Sequence, residues 1–347
     1  GTLAPREEGK IVVRGTLSGE RDQQKALHGS IGVPQGDGTF AVYSEHERRT
    51  RVVASPFSII QKMNNTVRDV ALEPGDRIAY EIVYKNEGNV GVRDAILTVE
   101  LDSPYLDYTT LQFANVRGAY NQAKRIISWK ASDFPSLARV EPGQGGTVTF
   151  SIGTYSNLRD RFPGTSQLLL RSVAKIDSPD IPILTGSTKI VASSEVIAKF
   201  NTSVSASLTG LYQDTVFQNT GPQPMVVGQE TTYTVHYALS NTFNTVANGR
   251  VSILLPTGIR HTGKRSPESE RITFNERTNE FVWDVGDIAP GTTREIIFQV
   301  AVVPEPVSAN GDVLLVSRAL FTGKDSFTGK EHRLENSYKV SGVSFAP

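Results

Sequence analysis

The sequence predicts an all-β protein made of tandem immunoglobulin-like antiparallel β-sandwiches. Three observations predict it. Apolar residues recur at every second position, turn-forming Pro and Gly groups separate those runs, and the whole pattern occurs twice along the 347 residues. A chain of this length suggests two or three domains at roughly 100–200 residues each. No stretch of 10–12 residues carries a 3.6-residue apolar period between helix caps, so helices to cover a parallel sheet are not expected.

The elements follow in order. Ile78, Tyr80, Ile82 and Tyr84 share one face of a strand, with Arg77, Glu81 and Lys85 on the other. Leu97, Val99 and Leu101 lie opposite Thr98 and Glu100, and Val148, Phe150 and Ile152 alternate with Thr147, Thr149 and Ser151. Each of these sets has a counterpart downstream. Gly75, Tyr80 and Tyr84 match Gly228, Tyr233 and Tyr237 at an offset of 153, and Ile82 falls on Val235. At an offset of 154, Leu97, Val99 and Leu101 fall on Val251, Ile253 and Leu255, Tyr120-Asn121 on Phe274-Asn275, and Trp129 on Trp283. Val140-Glu141-Pro142-Gly143 corresponds to Ile288-Ala289-Pro290-Gly291, where the offset drops to 148. In the second copy Ile296, Phe298 and Val300 alternate with Glu295, Ile297 and Gln299, Ile297 breaking the pattern. Turns at Pro74-Gly75-Asp76, Asn86-Glu87-Gly88-Asn89, Pro142-Gly143, Pro256-Thr257-Gly258 and Pro290-Gly291 punctuate the runs.

Two homologous modules therefore lie in tandem, at 55–201 and 202–347, with long loops expected at 102–119 and 153–167. Residues 1–54 read as the C-terminal half of a preceding Ig-like module, because Leu3-Ala4-Pro5 and Gly9-Lys10-Ile11-Val12-Val13 match the Val140–Phe150 segment. A small independent β-domain is the alternative. Half a sandwich exposes strand edges and an apolar face, so either upstream chain or another copy, by strand addition, is expected to complete it. Trp129 and Trp283, the only two tryptophans, read as equivalent core plugs.

Composition narrows the function. With 36 Lys+Arg against 36 Asp+Glu, no net field draws the chain to nucleic acid or an anionic membrane. Zero Cys excludes disulfides, thiolate metal sites and cysteine nucleophiles, and five scattered His leave little for base chemistry. Apolar runs such as Leu168-Leu169-Leu170 fall far short of the roughly 20 residues of a membrane span. The opening Gly1-Thr2-Leu3-Ala4-Pro5 has no initiator Met or signal-peptide pattern, which predicts a processed chain or a segment of a longer one.

The segment Glu73-Pro74-Gly75-Asp76-Arg77-Ile78-Ala79-Tyr80-Glu81-Ile82-Val83-Tyr84-Lys85-Asn86-Glu87-Gly88-Asn89 resembles the opening of the bacterial "domain of unknown function 11" repeats, Ig-like modules akin to CARDB-type adhesion modules. Leu254-Leu255-Pro256-Thr257-Gly258-Ile259 is similar to that family's later L-P-x-G element, without the Asp that normally precedes it. Other departures are Glu100-Leu101-Asp102-Ser103-Pro104 in the first module and Val227-Gly228-Gln229 in place of Pro-Gly-Asp in the second. The resemblance covers about 57–347, and 1–54 as a half-module. Gly228–His236 and Phe274–Trp283 look most like large envelope proteins of candidate-phylum (Patescibacteria-type) bacteria. It implies tandem arrays on exported, cell-anchored proteins that act as stalks or adhesive surfaces, and supplies no catalytic residues.

Candidate chemistry is sparse. In Glu45-His46-Glu47 a zinc helix would need His at 50, where Thr50 stands. Gly143-Gln144-Gly145-Gly146 lacks the Lys-Ser/Thr of a phosphate loop and reads as a turn. Asp177-Ser178-Pro179-Asp180 and Gly36-Asp37-Gly38 offer carboxylates to calcium without matching an EF-hand. No Gly-x-Ser-x-Gly elbow occurs. Lys264–Arg271 reads as a solvated loop tip, and Lys85 alternates outward, whereas a lysine in an isopeptide crosslink should be buried. No catalytic, cofactor-binding or metal residue is assigned.

The expected function is a non-enzymatic, extracellular or cell-surface stalk segment of a bacterial protein, anchored by segments outside this chain. Its partners are its own neighbouring modules, with another copy or a glycan or surface protein beyond them, and neither nucleic acid nor membrane. Two and a half sandwiches in line would reach on the order of 100 Å. The alternative is an adhesin module binding a glycan or protein through loop tips or an aromatic face, for which Tyr105, Tyr108 and Tyr120 are the candidates.

Overall fold

The structure, a computed structural model, describes residues 24–36, 39–51, 55–181, 191–305, 312–341 and 343–344. The regular structure of the described chain is almost entirely strand, as the period-two pattern requires. Among the described residues helix is confined to one turn at Leu158–Arg161 and a 3-10 turn at Pro135–Leu137.

The two long stretches repeat one topology. In the first, a four-stranded sheet runs in the order Phe57–Met63, Arg77–Asn86, Gly145–Thr154, Leu106–Phe113. Facing it is a sheet in the order Val70–Leu72, Ala192–Phe200, Leu169–Asp177, Ile96–Asp102, Ile126–Trp129, Ala119–Asn121. In the second stretch the four-stranded sheet is Val204–Leu211, Thr231–Asn241, Thr293–Val302, Ile259–Ser266. Its partner sheet is Arg271–Asn275, Glu280–Ile288, Val246–Leu254, Asp312–Asp325, Glu331–Ser341. Among the described residues pairing is antiparallel apart from two short parallel ladders, Val70–Leu72 with Ala192–Phe200 and Met225–Val226 with Val343–Ser344. The loop expected at 102–119 contains a strand, Leu106–Phe113, and that expected at 153–167 holds the helical turn.

Equivalent residues do equivalent work. Leu97 pairs across the sheet with Trp129 and Val251 with Trp283, and both indoles are fully buried. Trp129 donates its ring N–H to the Val116 carbonyl (3.1 Å), and Trp283 to the Glu270 carboxylate (2.8 Å). Tyr80, Tyr84, Tyr233 and Tyr237 fill the interior beside them. Gly75 and Gly228 both take positive φ, 92° and 78°, which a Cβ would resist.

The asparagine at the end of each Tyr-containing strand also has one role. Asn86 is fully buried; its Nδ2 donates to the carbonyls of Val90 (2.9 Å) and Val140 (2.8 Å), and its Oδ1 accepts from Gly88 N (2.9 Å). Asn241 donates to Asn244 O (2.7 Å), Ile288 O (3.0 Å) and Ala289 O (3.1 Å). Val140 and Ile288 are a matched pair in the repeat. The amide thus clasps the strand before each Pro-Gly turn, satisfying carbonyls that burial would otherwise strand.

One core cluster draws on residues between Phe57 and Phe200, the other on residues between Met225 and Phe321. Phe243 is the exception to each stretch filling itself: it belongs to the second by sequence and packs in the first core. Residues 24–51 form a separate antiparallel hairpin, Gln24–Pro34 against Phe40–Arg51. Residues 1–23 and 52–54, on which the half-module expectation partly rests, lie outside the described residues.

Candidate functional site: the joint between the sandwiches

The first sandwich's last strand, Ala192–Phe200, runs straight into Asn201-Thr202-Ser203 and then into Val204–Leu211. These polar residues read as a linker in the sequence. In the structure Asn201 and Thr202 are buried, Thr202 completely. The donors of both residues are bonded, while Asn201 Oδ1 is buried without a partner.

Thr202 N donates to Asp325 Oδ2 (2.8 Å), and its hydroxyl donates to Asn241 Oδ1 (2.6 Å) while accepting from Phe243 N (2.9 Å). Asn244 Nδ2 bridges the sandwiches by donating to Phe200 O and to Asp325 Oδ2, both at 2.9 Å, and its Oδ1 accepts from Gln167 N (3.2 Å). Asp325 is fully buried, and its other oxygen accepts from Phe327 N (2.9 Å) and Thr328 N (3.1 Å). Burial pushes the Asp325 carboxyl up, but the donors from Thr202, Asn244, Phe327 and Thr328 outweigh it and hold it below the usual carboxylate range. A buried carboxylate held by four N–H donors needs no cation, and it fixes the donors' directions.

Around this centre, Asn201 N donates to Leu72 O (2.8 Å) and Asn201 Nδ2 to Glu73 Oε1 (2.7 Å). Lys330 of the second sandwich pairs with the same Glu73, and Lys199 donates to Phe327 O (3.1 Å) while lying over its ring. Phe243 inserts beside this network into the first core, 4% exposed. Apolar insertion and directional polar bonds thus both cross the joint. None of Phe243, Asn244 or Asp325 carries a motif; each finds its partner across more than forty residues of chain.

The residues singled out in the sequence lie elsewhere. Asp177 and Asp180 do not converge on a common point: Asp180 is taken by Arg93 through backbone N (2.9 Å), Nε (3.2 Å) and Nη2 (3.3 Å), which holds its carboxyl below the usual range. Residues 37–38 of Gly36-Asp37-Gly38 are outside the described residues. Glu45-His46-Glu47 lies on the exposed hairpin, where Glu47 pairs with His28 (2.7 Å) and Arg49 (2.7 Å). Gly143 accepts the turn role, with φ of 77°. Lys85 is half-exposed and pairs with Glu87 (2.9 Å).

Two expectations change. In the Lys264–Arg271 run, Glu270 is not at a solvated tip: its side chain is 10% exposed, bonded to the Trp283 ring and gripped by Arg294 at 2.7 Å. Tyr105, Tyr108 and Tyr120 do not make one exposed face. Tyr105 packs on Phe162 and Phe200, and Tyr108 donates to Leu101 O (2.8 Å) and stacks on Tyr120. Aromatic rings near a sheet edge gain more from the core than from water.

A polar strap, missed in the sequence, crosses the outer face of the second four-stranded sheet. Asn219 Nδ2 donates to Thr234 Oγ1 (2.9 Å), Gln299 Nε2 to Gln218 O (2.9 Å), and Thr220 N to Thr232 Oγ1 (2.7 Å). His236 pins it, with Nε2 2.8 Å from Asp214 and Nδ1 2.9 Å from Glu295. Among the described residues no group of three or more His, Asp and Glu is arranged to hold a metal, and no helix is long and apolar enough to cross a membrane.

No family model matches the chain, and no curated protein does. Among solved structures, the chain is similar to the C-terminal domain of the Streptococcus pyogenes antigen I/II-family protein AspA. The identity is 11%, over 83% of this chain and 100% of that one, with a TM-score of 0.35. A chain of a Clostridium thermocellum cohesin–dockerin complex is similar at 14% identity, over 42% of this chain and 100% of that one, with a TM-score of 0.28. The CARDB domain of PF1109 from Pyrococcus furiosus is similar at 14% identity, over 41% of this chain and 94% of that one, with a TM-score of 0.24. At such identities and TM-scores these likenesses carry nothing about ligand, partner or activity. What the chain shows by its own strand order is a pair of Ig-like β-sandwiches in tandem.

Proposed function

We propose that residues 55–201 and 202–347 are two modules of a non-enzymatic structural segment, a stalk at a bacterial cell surface that holds what adjoins it at a fixed spacing. The buried joint carries this reading. A tether needs no interior, whereas here the connecting residues are themselves inside, bonded to both sandwiches through Thr202, Asn244 and Asp325. The resemblance of Glu73–Asn89 to exported repeat proteins is what points to the cell surface. The fixed spacing is tested by attaching a spin label at exposed Val90 and another at exposed Val303 and measuring their distance distribution. One narrow distribution is expected. A broad one, of the kind two modules on a flexible tether give, overturns the reading.

A further inference from the structure

One difference between the two sandwiches lies above their buried tryptophans. In the second, Glu270 seats on the Trp283 ring nitrogen and is clamped by Arg294, so an ion pair closes the site. In the first, the ring nitrogen of Trp129 is met by a backbone carbonyl, that of Val116. The chain then lies flat on the indole at Gly118, where a Cβ would come within 2.7 Å of Trp129 Cε2. The result is an open groove of about 640 Å³, lined by Phe113, Arg117, Gly118, Ala119, Tyr120 and Asp133, a volume within the roughly 300–1,000 Å³ of small-molecule sites.

The aromatic floor is held in place. Tyr120 stacks on Tyr108 with ring centroids 5.3 Å apart and planes 12° from parallel, and Tyr108 is anchored by its hydroxyl to Leu101 O. Phe113 meets Trp129 edge-on at 6.1 Å and 89°. Arg117 and Asp133 are exposed at the rim. Arg117 makes no ion pair among the described residues, and Asp133 spends one oxygen on Lys130 N (3.1 Å). The rim therefore offers a planar set of donors and an acceptor, with charges that cancel.

We propose that this groove binds a neutral saccharide, with a pyranose ring laid on Tyr120 and Phe113 and its hydroxyls held by Arg117 and Asp133. The apolar C–H face of a sugar matches an aromatic floor, and vicinal hydroxyls match a guanidinium and a carboxylate. An anionic ligand would meet Asp133, and a cationic one Arg117. Gly118 is then the residue that lets backbone take the place Glu270 fills in the duplicate. The proposal is independent of the spacer role.

The protein supplies its own reporter and control. Trp129 lies directly beneath the groove, and Trp283, the only other tryptophan, lies in the second core. The full chain labelled with 5-fluorotryptophan is titrated with cellohexaose, maltohexaose, xylohexaose and mannohexaose, to about 10 mM, the range of weak shallow-site binding. At least one sugar shifts the Trp129 signal and leaves that of Trp283 in place. Arg117→Ala and Asp133→Ala each weaken that binding about tenfold or more. Arg117→Ala leaves the free signals and unfolding temperature unchanged, since its side chain is exposed and makes no ion pair among the described residues, while Asp133→Ala lowers the unfolding temperature slightly through the lost bond to Lys130 N. No shift with any of the four sugars overturns the proposal. So do both signals moving together, unchanged affinity in the two variants, or a shift produced only by an aromatic-rich peptide.

Discussion

Replacing Asp325 by alanine removes the acceptor at the centre of the joint, and the structure sets the cost. Four N–H groups lose their partner: Thr202 N, Asn244 Nδ2, Phe327 N and Thr328 N. Those of Phe327 and Thr328 lie in a turn that water reaches. Those of Thr202 and Asn244 belong to fully buried residues. A buried donor left unmet costs about 1–3 kcal/mol, so the two together cost about 2–6 kcal/mol, a large share of a domain's total of about 5–15 kcal/mol. The loss falls on the link, so it should uncouple the sandwiches as well as weaken them. Urea unfolding of 5-fluorotryptophan protein, followed by fluorine NMR, reads Trp129 and Trp283 separately. In the native sequence the two signals are expected to disappear over one transition; in the Asp325→Ala variant they separate. The sign with pH follows from the lowered carboxyl of Asp325. Its contribution is present above the ordinary carboxylate pKa of about 3.9 and is lost as pH falls through the lower folded value. The variant should therefore lose part of the native protein's acid sensitivity. A loss under about 0.5 kcal/mol, the usual scatter of surface substitutions, with coincident transitions, would refute the reasoning.

Phe243→Ala is expected to destabilise by about 3–5 kcal/mol, as for other buried phenylalanines, and to do so first at Trp129, in the sandwich to which Phe243 does not belong by sequence. Asn86→Ala and Asn241→Ala each strand two or more carbonyls and should cost about 2–4 kcal/mol in denaturant titration, with the isosteric Asp no rescue because it cannot donate. For His236, burial lowers the affinity for a proton, but its bonds to Glu295 and Asp214 outweigh it and raise the pKa above 6.5. The strap's stabilisation is thus complete below that value and fades as pH rises through the higher folded one. Amide exchange at 214–220 should speed up over that alkaline step, and His236→Gln should remove the step; exchange independent of pH, after correction for intrinsic rates, would contradict it.

Much of the fold was legible because strand periodicity and burial are the same fact seen twice. Tyr80, Tyr84 and Trp129 alternate inward in the sequence and are inside in the structure, as are their matches Tyr233, Tyr237 and Trp283. The repeat even placed Val140 opposite Ile288, two carbonyls that take the same asparagine bond. The joint was illegible for the converse reason. Asn201-Thr202-Ser203 has the composition of an exposed linker, and only partners such as Asp325, 123 residues from Thr202, make its burial tolerable. Glu270 misled likewise, since a charged run conceals which member meets a distant arginine such as Arg294. The short strand Leu106–Phe113 was hidden because its exposed face is irregular and its pairing with Gly145–Thr154 is interrupted by a register shift.

The two short parallel ladders bear on how a stalk would carry load. In each sandwich an early segment, Val70–Leu72 or Met225–Val226, lies alongside the last strand of its partner sheet or the continuation of that strand, pointing the same way. Pulling a module by its ends drags such a pair past itself lengthwise, so its hydrogen bonds must rupture together instead of unzipping one at a time. Each duplicate is thereby fastened lengthwise just behind its first strand, by a handful of backbone bonds that contribute little to its stability at rest.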